Sequence, residues 1–335
     1  MNETKNRDAE TIQITVPKKR RDGERVDKYL ARSLHNISRS RLQYLIDDHE
    51  VLVNNHPVKS SYSITPGDEI AVTIPKEPKL TVEPEPIPLD ILYEDAKMIA
   101  LNKSSGLVVH PGVGNSHGTL VNGLLHHTNQ LADTDNPVRP GLVHRLDKET
   151  SGVLLVAKDE ETHRRLSMQF EERVVEKEYR AWVWGVPNPP AKTIRKAIGR
   201  HPRDRKKFAP QPQGKHAVTR YSVLEDHELV SLVQVKIETG RTHQIRVHCT
   251  SIGHPVVGDS TYNGRSKRLK SLPVSDRKWG ARILEIMEGQ ALHAFRIGFN
   301  HPWTGKWMEL EAPVPGNFLT LRELMQEREQ ALYHQ

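Results

Sequence analysis

The sequence predicts an α+β protein: a large domain built on a mainly antiparallel, mixed sheet, preceded by a small α/β module. Three observations carry this. From about residue 89 onward short strand-like apolar runs outnumber helical patterns, which favours a sheet over a bundle. Between residues 24 and 46 apolar residues recur at helical spacing, followed by a small hairpin pattern. Between the two regions lie five prolines, Pro75, Pro78, Pro84, Pro86 and Pro88, a density that neither a regular helix nor a central strand accepts. The expected division is a flexible tail at 1–23, the small module at 24–74, a stiff extended linker at 75–88 and the large domain at 89–335.

Composition bounds the function. A chain of 335 residues holds a sizeable core plus a smaller module. Its 49 Lys and Arg against 42 Asp and Glu give a net charge of +7, which favours a polyanionic partner without separating RNA from an anionic membrane surface. The single cysteine, Cys249, excludes an intrachain disulfide and a multi-cysteine zinc site and fits a reducing compartment. The start MNETKNRDAE lacks the apolar core of a signal peptide, and no run approaches about 18 apolar residues. A soluble, cytoplasmic monomer with no membrane partner is expected.

In chain order, Ile12 to Val16 alternates like a short strand inside the expected tail. Val26, Leu30 and Leu34 give a first helix; Leu42, Leu45 and Ile46 give a second, opening at Ser38, a good N-cap worth about 1 kcal/mol. Arg39 and Arg41 occupy its first turn, where the helix dipole prefers acids. Positive charge beside free amides suits a phosphate, although simple exposure is the alternative. Val51 to Val53 turns at Asn54-Asn55 and returns through Val58, and Pro66-Gly67-Asp68 turns into Ile70 to Val72. In the large domain Ile91 to Tyr93, Met98 to Leu101 and Gly106 to Pro111 read as strands, Thr119 to His127 and Asp159 to Arg173 as helices. Ser231 to Glu238 alternates with Val233, Val235 and Ile237 on one face. Thr242 can cap a helix carrying Ile245, Cys249 and Ile252 that stops at Gly253. Asn317 to Leu332 is an amphipathic helix.

The stretch that organises the chain is GLVHRLDKETSGVLLVAK, residues 141–158. Val153 to Ala157 reads as a strand buried on both faces, and Arg145 and Asp147 stand just before it. A carboxylate entering such a core needs a cation. The pair could be purely structural, or Asp147 could have a task. Two further polar islands, Tyr179 in EKEYRAW and the arginines of ETGRTHQIRVH (238–248), point to one shared site.

HRLDKETSG (144–152), EYRAWVWG (178–185) and TGRTHQIRVH (239–248) followed by GHPVVGD (253–259) resemble the ordered signatures of the RluA-type pseudouridine synthases. The likeness is strongest to the RluD branch, through VVHPGVGNSHGTLVNGLLHH and QGKHAVTRY, and RSRLQYLIDDHEVLVNN resembles an S-four-type RNA-binding domain. The resemblance implies a pseudouridine synthase catalytic domain that flips a uridine out of RNA and isomerises it. Large-subunit ribosomal RNA is the favoured target and transfer RNA the other candidate. It further implies that Asp147 is the catalytic carboxylate, acting on the sugar, on the ring or through a glycal. Arg246 keeps Asp147 ionised against desolvation. Tyr179 offers a flat face to the uracil and a hydroxyl, and Arg145 fills the space the base vacates. Arg241 is assigned to phosphate or to fixing the loop, and His144 to structure.

The basic segment Arg195 to Lys207, with Arg203, Lys206 and Lys207, is either a phosphate-binding surface, whose affinity would fall with salt at a slope of about 0.7 per contact, or a solvated loop. His243, His248, Cys249 and His254 cluster in sequence but lack a metal-binding spacing, and no Walker or dinucleotide loop appears, so neither metal nor cofactor is implied. Ser151 lacks a nucleophile elbow. The competing class is a non-catalytic RNA-binding or ribosome-assembly factor, which would keep the basic segments but could lose Asp147, Tyr179 or Arg246.

Overall fold

The computed structural model describes residues 9–18, 23–34, 37, 39–75, 82–112, 114–134, 138–204 and 206–333. The chain forms two compact units, Met1–Leu80 and Thr81–Gln335. Among the described residues no helix is long and apolar enough to cross a membrane.

The first unit contains strand β1 (Ala9–Thr15), helices α1 (Val26–Ser33) and α2 (Arg39–Asp47), and strands β2 (Val51–Val53), β3 (His56–Pro57) and β4 (Glu69–Pro75). The strands form an antiparallel sheet in the order β1-β4-β2-β3. Val26, Leu30, Leu42, Leu45 and Ile46 from the helices bury against Val51, Ile70 and Val72 of the sheet. Asn54 and Asn55, both in the left-handed region at φ 51° and 65°, make the β2–β3 turn, a geometry asparagine tolerates and hairpin twist favours. The expectation of a flexible tail through residue 23 is corrected here: residues 9–15 pair along β4, from Ala9 opposite Pro75 to Thr15 opposite Glu69. The Ser38 cap and the side chains of Arg39 and Arg41, with their expected phosphate contacts, lie outside the described residues; α2 itself begins at Arg39.

The second unit contains β5 (Ile91–Glu94), β6 (Met98–Lys103), α3 (Leu120–His127), β7 (Ser151–Ala157), α4 (Glu160–Glu171), β8 (Glu176–Trp184), β9 (Ala191–Arg195), β10 (Ile198–Arg200), β11 (Phe208–Pro210), β12 (Val218–Asp226), β13 (Val230–Ile237), α5 (Gln244–Ser251), α6 (Ser266–Ser271), α7 (Val274–Ile286), β14 (Leu292–Asn300), β15 (Trp307–Glu311) and α8 (Gly316–Tyr333). Nine strands form one sheet in the order β5-β6-β7-β14-β8-β13-β12-β9, with β15 added to β14. Among the strand pairings of the described residues only the short β14–β7 one is parallel, so the mixed, mainly antiparallel α+β architecture is present. β7 is buried along its whole length, as its continuous apolar run requires. Trp182, Trp184, Val233 and Val235 of β8 and β13 pack with Ile245 of α5, Ile283 of α7 and Leu321 of α8 in the main core. The 265–290 segment is thus folded into α6 and α7, and Arg282 and Asp276 of α7 pair with Glu327 and Arg328 of α8.

Two local expectations are corrected. Residues 106–111 form no strand; Val108 makes an isolated bridge to Thr119, and Val109 owes its apolar character to burial against Leu120 and Leu124. Helix α5 is capped by His243, not Thr242. The proline-rich segment has no helix or strand over residues 82–88, where Glu83 and Glu85 are bonded to neighbouring backbone and side chains. The Glu85 amide donates to Asn122 O (3.0 Å), Asn122 Nδ2 donates to Glu83 O (2.8 Å), and the Glu85 carboxylate accepts from the Gly118 amide (3.1 Å). That arrangement ties it to the start of α3.

Candidate active site

The loop carrying Asp147 is clamped from three sides. On one side His144 Nε2 accepts the Leu155 amide of β7 (2.9 Å), and its ring stacks on Phe170 of α4 at 4.7 Å. Burial pushes His144 down to about 3, so it is a neutral fastener. Behind the loop, Lys103 at the end of β6 is fully buried and donates to the carbonyls of Ser104 (2.8 Å), Leu107 (2.9 Å) and Lys148 (2.9 Å). Burial pulls Lys103 down to about 7, with Asp147 opposing the shift. At the loop's end Gly152 sits at φ 110°, and a Cβ there would meet Ala294 O at 2.2 Å. Only glycine allows β14 to pair so closely with β7.

Helix α5 supplies the partner. Its start is set by buried Gln244, whose Oε1 accepts from Thr239 Oγ1 (2.7 Å) and the Arg241 amide (3.1 Å) and whose Nε2 donates to Val218 O (2.9 Å) and Thr219 Oγ1 (3.0 Å). This staples the 239–243 turn to β12. Arg246, 7% exposed, then bridges two carboxylates. Its Nη1 donates to Asp147 Oδ2 at 2.9 Å, and its Nε and Nη2 donate to Asp259 at 2.7 and 3.0 Å. Asp259 is fully buried and also accepts the Thr261 and Tyr262 amides. The fork holds the guanidinium so that Nη1 is aimed at Asp147, a geometry a lysine could not reproduce. The Tyr262 ring lies 5.0 Å from the guanidinium. The Tyr262 hydroxyl accepts the Phe208 amide (2.9 Å) and is bonded to His243 Nδ1 (2.8 Å). His243, held at φ 57°, brings Nε2 to 3.9 Å from Asp147, and burial pushes it below its usual value.

Asp147, Tyr179, Arg145, Arg241 and Arg246 line one cavity, whose apolar floor includes Leu146, Ile237 and Leu292. Burial first, then Asp147, raise Tyr179 above its usual value, so its phenol stays protonated at neutral pH. Arg145 is exposed at the mouth, and Arg241 Nε donates to His216 O (3.1 Å). Arg203, Lys206 and Lys207 do not line the cavity. They stand between β10 and β11, with Lys207 near Asp204 (3.4 Å), and Phe208 of that hairpin meets His243 edge-on at 5.7 Å. Sequence reading passed over Lys103, Asp259 and Gln244; the signal available for Lys103 was a lysine ending an apolar strand. Among the described residues no three potential metal ligands gather. His248 is bonded to Thr219 and Lys196, and burial pushes the Cys249 thiol up to about 12.

A carboxylate fixed by a buried arginine, over an apolar floor with an aromatic wall and a cationic mouth, has the features that chemistry on an extruded base requires. Residues 97–251 match the family model for RNA pseudouridylate synthase and residues 24–70 that for the S4 domain. The chain belongs to the RNA pseudouridylate synthase family, isomerases that act on RNA. It is 45% identical over 298 residues to an uncharacterized RNA pseudouridine synthase of Chlorobaculum parvum, covering 87% of this chain and 90% of that one. It is 42% identical over 326 residues to the ribosomal large subunit pseudouridine synthase D of Neisseria meningitidis, covering 96% and 83%. Among solved structures, human RNA pseudouridylate synthase domain containing 1 aligns with a TM-score of 0.53 at 29% identity, over 74% of this chain and 96% of that one.

Proposed function

We propose that the chain converts specific uridines of large-subunit ribosomal RNA to pseudouridine in the cytoplasm, with Asp147 as the catalytic carboxylate and the 24–74 module as a second RNA contact. The observation that carries this reading is the Asp147–Arg246 bond of 2.9 Å over the apolar floor. The names of the synthase D relatives support the choice of RNA.

The target uridine leaves its stack at a cost of a few kcal/mol and enters the cavity, where Tyr179 packs against the uracil and Arg145 takes its former place. The bond from ribose C1′ to N1 breaks, the uracil turns, C5 bonds to C1′ and gives up its proton, and N1 takes up a proton, so that the product is an isomer of the substrate. Asp147 acts while ionised, as a nucleophile or by stabilising charge as a glycal forms. Arg246 supplies the charge that lets it remain ionised once the base excludes water. Pseudouridine mapping of ribosomal and transfer RNA from cells lacking the gene tests the reading. Loss of large-subunit sites, restored by the wild-type gene, is expected; loss confined to transfer RNA, or no loss, would overturn the proposed target.

A further inference from the structure

Beside the Asp147 cavity lies a second one of about 400 Å³, lined by His144, Arg145, Phe170, Arg173, Lys177, Tyr179 and Arg241 among others. The two share Arg145, Tyr179, Ile237, Gly240 and Arg241 in their linings and therefore adjoin. Lys177 and Tyr179 are two residues apart on β8 and project from the same face of the sheet. The floor of the second cavity is aromatic, with His144 stacked on Phe170 and the Lys177 ammonium 5.6 Å from the Phe170 ring.

Its charges are unbalanced. Arg145, Arg173, Lys177 and Arg241 are four cations in the lining, against the acids Glu171 and Glu238, and Glu238 is already paired with Arg220. Among the described residues none of the four cations makes an ion pair with a carboxylate. The buried Glu178, next to Lys177 in sequence, instead pairs with Arg180, Arg296 and Lys236. Burial, and then Arg173, lower Lys177 from its usual value. Arg173 is held at φ 62°, a left-handed turn position that suits glycine or asparagine better than arginine. Arg173 is exposed and Lys177 half-buried, and an anion between them would supply the counter-charge that Lys177 lacks.

We propose that this second cavity is a nucleotide subsite, in which Arg173 and Lys177 hold the phosphate, and the His144–Phe170 floor the base, of a nucleotide adjoining the flipped uridine. The inference rests on the proposed synthase reading and extends it to the neighbouring nucleotide. Single-stranded RNA is recognised in this way, by aromatic platforms with cationic walls. A local phosphate contact positions the strand so that Arg145 and Tyr179 meet the correct base.

The test compares wild type with Lys177→Gln, Arg173→Gln and Lys177→Arg on a large-subunit ribosomal RNA transcript containing 5-tritiated uridine. Tritium release, salt-dependent binding and thermal unfolding are measured. Each glutamine variant is expected to raise KM about tenfold with a smaller change in kcat, and to reduce the salt slope of binding by about 0.7. Lys177→Arg is expected to restore KM, and Lys177→Gln to unfold at the same or a higher temperature than wild type. Unchanged KM and salt slope would overturn the subsite. So would a fall in unfolding temperature and kcat together, which would make the cations structural. Absence of tritium release from wild type would instead overturn the synthase reading on that RNA.

Discussion

Replacing Arg246 by methionine should do two separable kinds of damage, because its guanidinium serves two carboxylates. Loss of the fork to Asp259 leaves a fully buried carboxylate with only the Thr261 and Tyr262 amides to satisfy it. Breaking a buried ion pair from one side costs about 3–5 kcal/mol of stability. Loss of the 2.9 Å bond to Asp147 removes one charged hydrogen bond, about 1.5–3 kcal/mol, or a roughly 10- to 150-fold fall in rate if the bond is needed in the transition state. The double variant Arg246→Met/Asp259→Asn separates them. Asparagine removes the orphaned charge while its Oδ1 can still accept the two amides, so denaturant unfolding should show most of the stability returning. Tritium release should stay at the level of the single variant. Recovery of activity in step with stability would refute the reasoning, because Arg246 would then matter only as a counter-ion for Asp259.

Two further outcomes follow from the loop's supports. Lys103→Met removes the donor to three carbonyls and should lower kcat while leaving RNA binding within about threefold, measured by single-turnover tritium release and filter binding. The same lysine predicts a pH effect of definite sign. Its folded value of about 7 lies below the usual 10.5, so the unfolded chain binds the extra proton between them, and wild type should gain stability relative to Lys103→Met as pH rises from about 7 to about 10. Gly152→Ala, with φ at 110° and a 2.2 Å approach to Ala294 O, should destabilise by at least about 2 kcal/mol, read as a lower denaturation midpoint; an unchanged midpoint would show that β14 can move aside.

Much of this was legible in the sequence for physical reasons. Asp147 announced itself because a carboxylate at the entrance to Val153–Ala157 cannot stay unpaired, and β7 is buried throughout. Which arginine answers it was carried by the resemblance, since Arg246 lies 99 residues away. The same limit hid Lys103 and Asp259: three carbonyls converge on the lysine only after the 104–107 turn meets Lys148, and Asp259 shows its role only when α5 presents Arg246. Strand β1 alternates clearly, but its partner β4 lies some sixty positions on, and a strand without a visible partner reads as tail. Residues 106–111 erred the other way, because burial by α3 and pairing in a sheet leave the same apolar signature.

The central claim is that the Asp147 carboxylate, not merely the cavity around it, performs the isomerisation. Asp147→Asn keeps the side chain's shape and removes its charge and nucleophilic oxygen. In single-turnover reactions on tritiated ribosomal RNA the account predicts that tritium release is abolished while RNA binding stays within about threefold of wild type. Release at a rate comparable to wild type would contradict it.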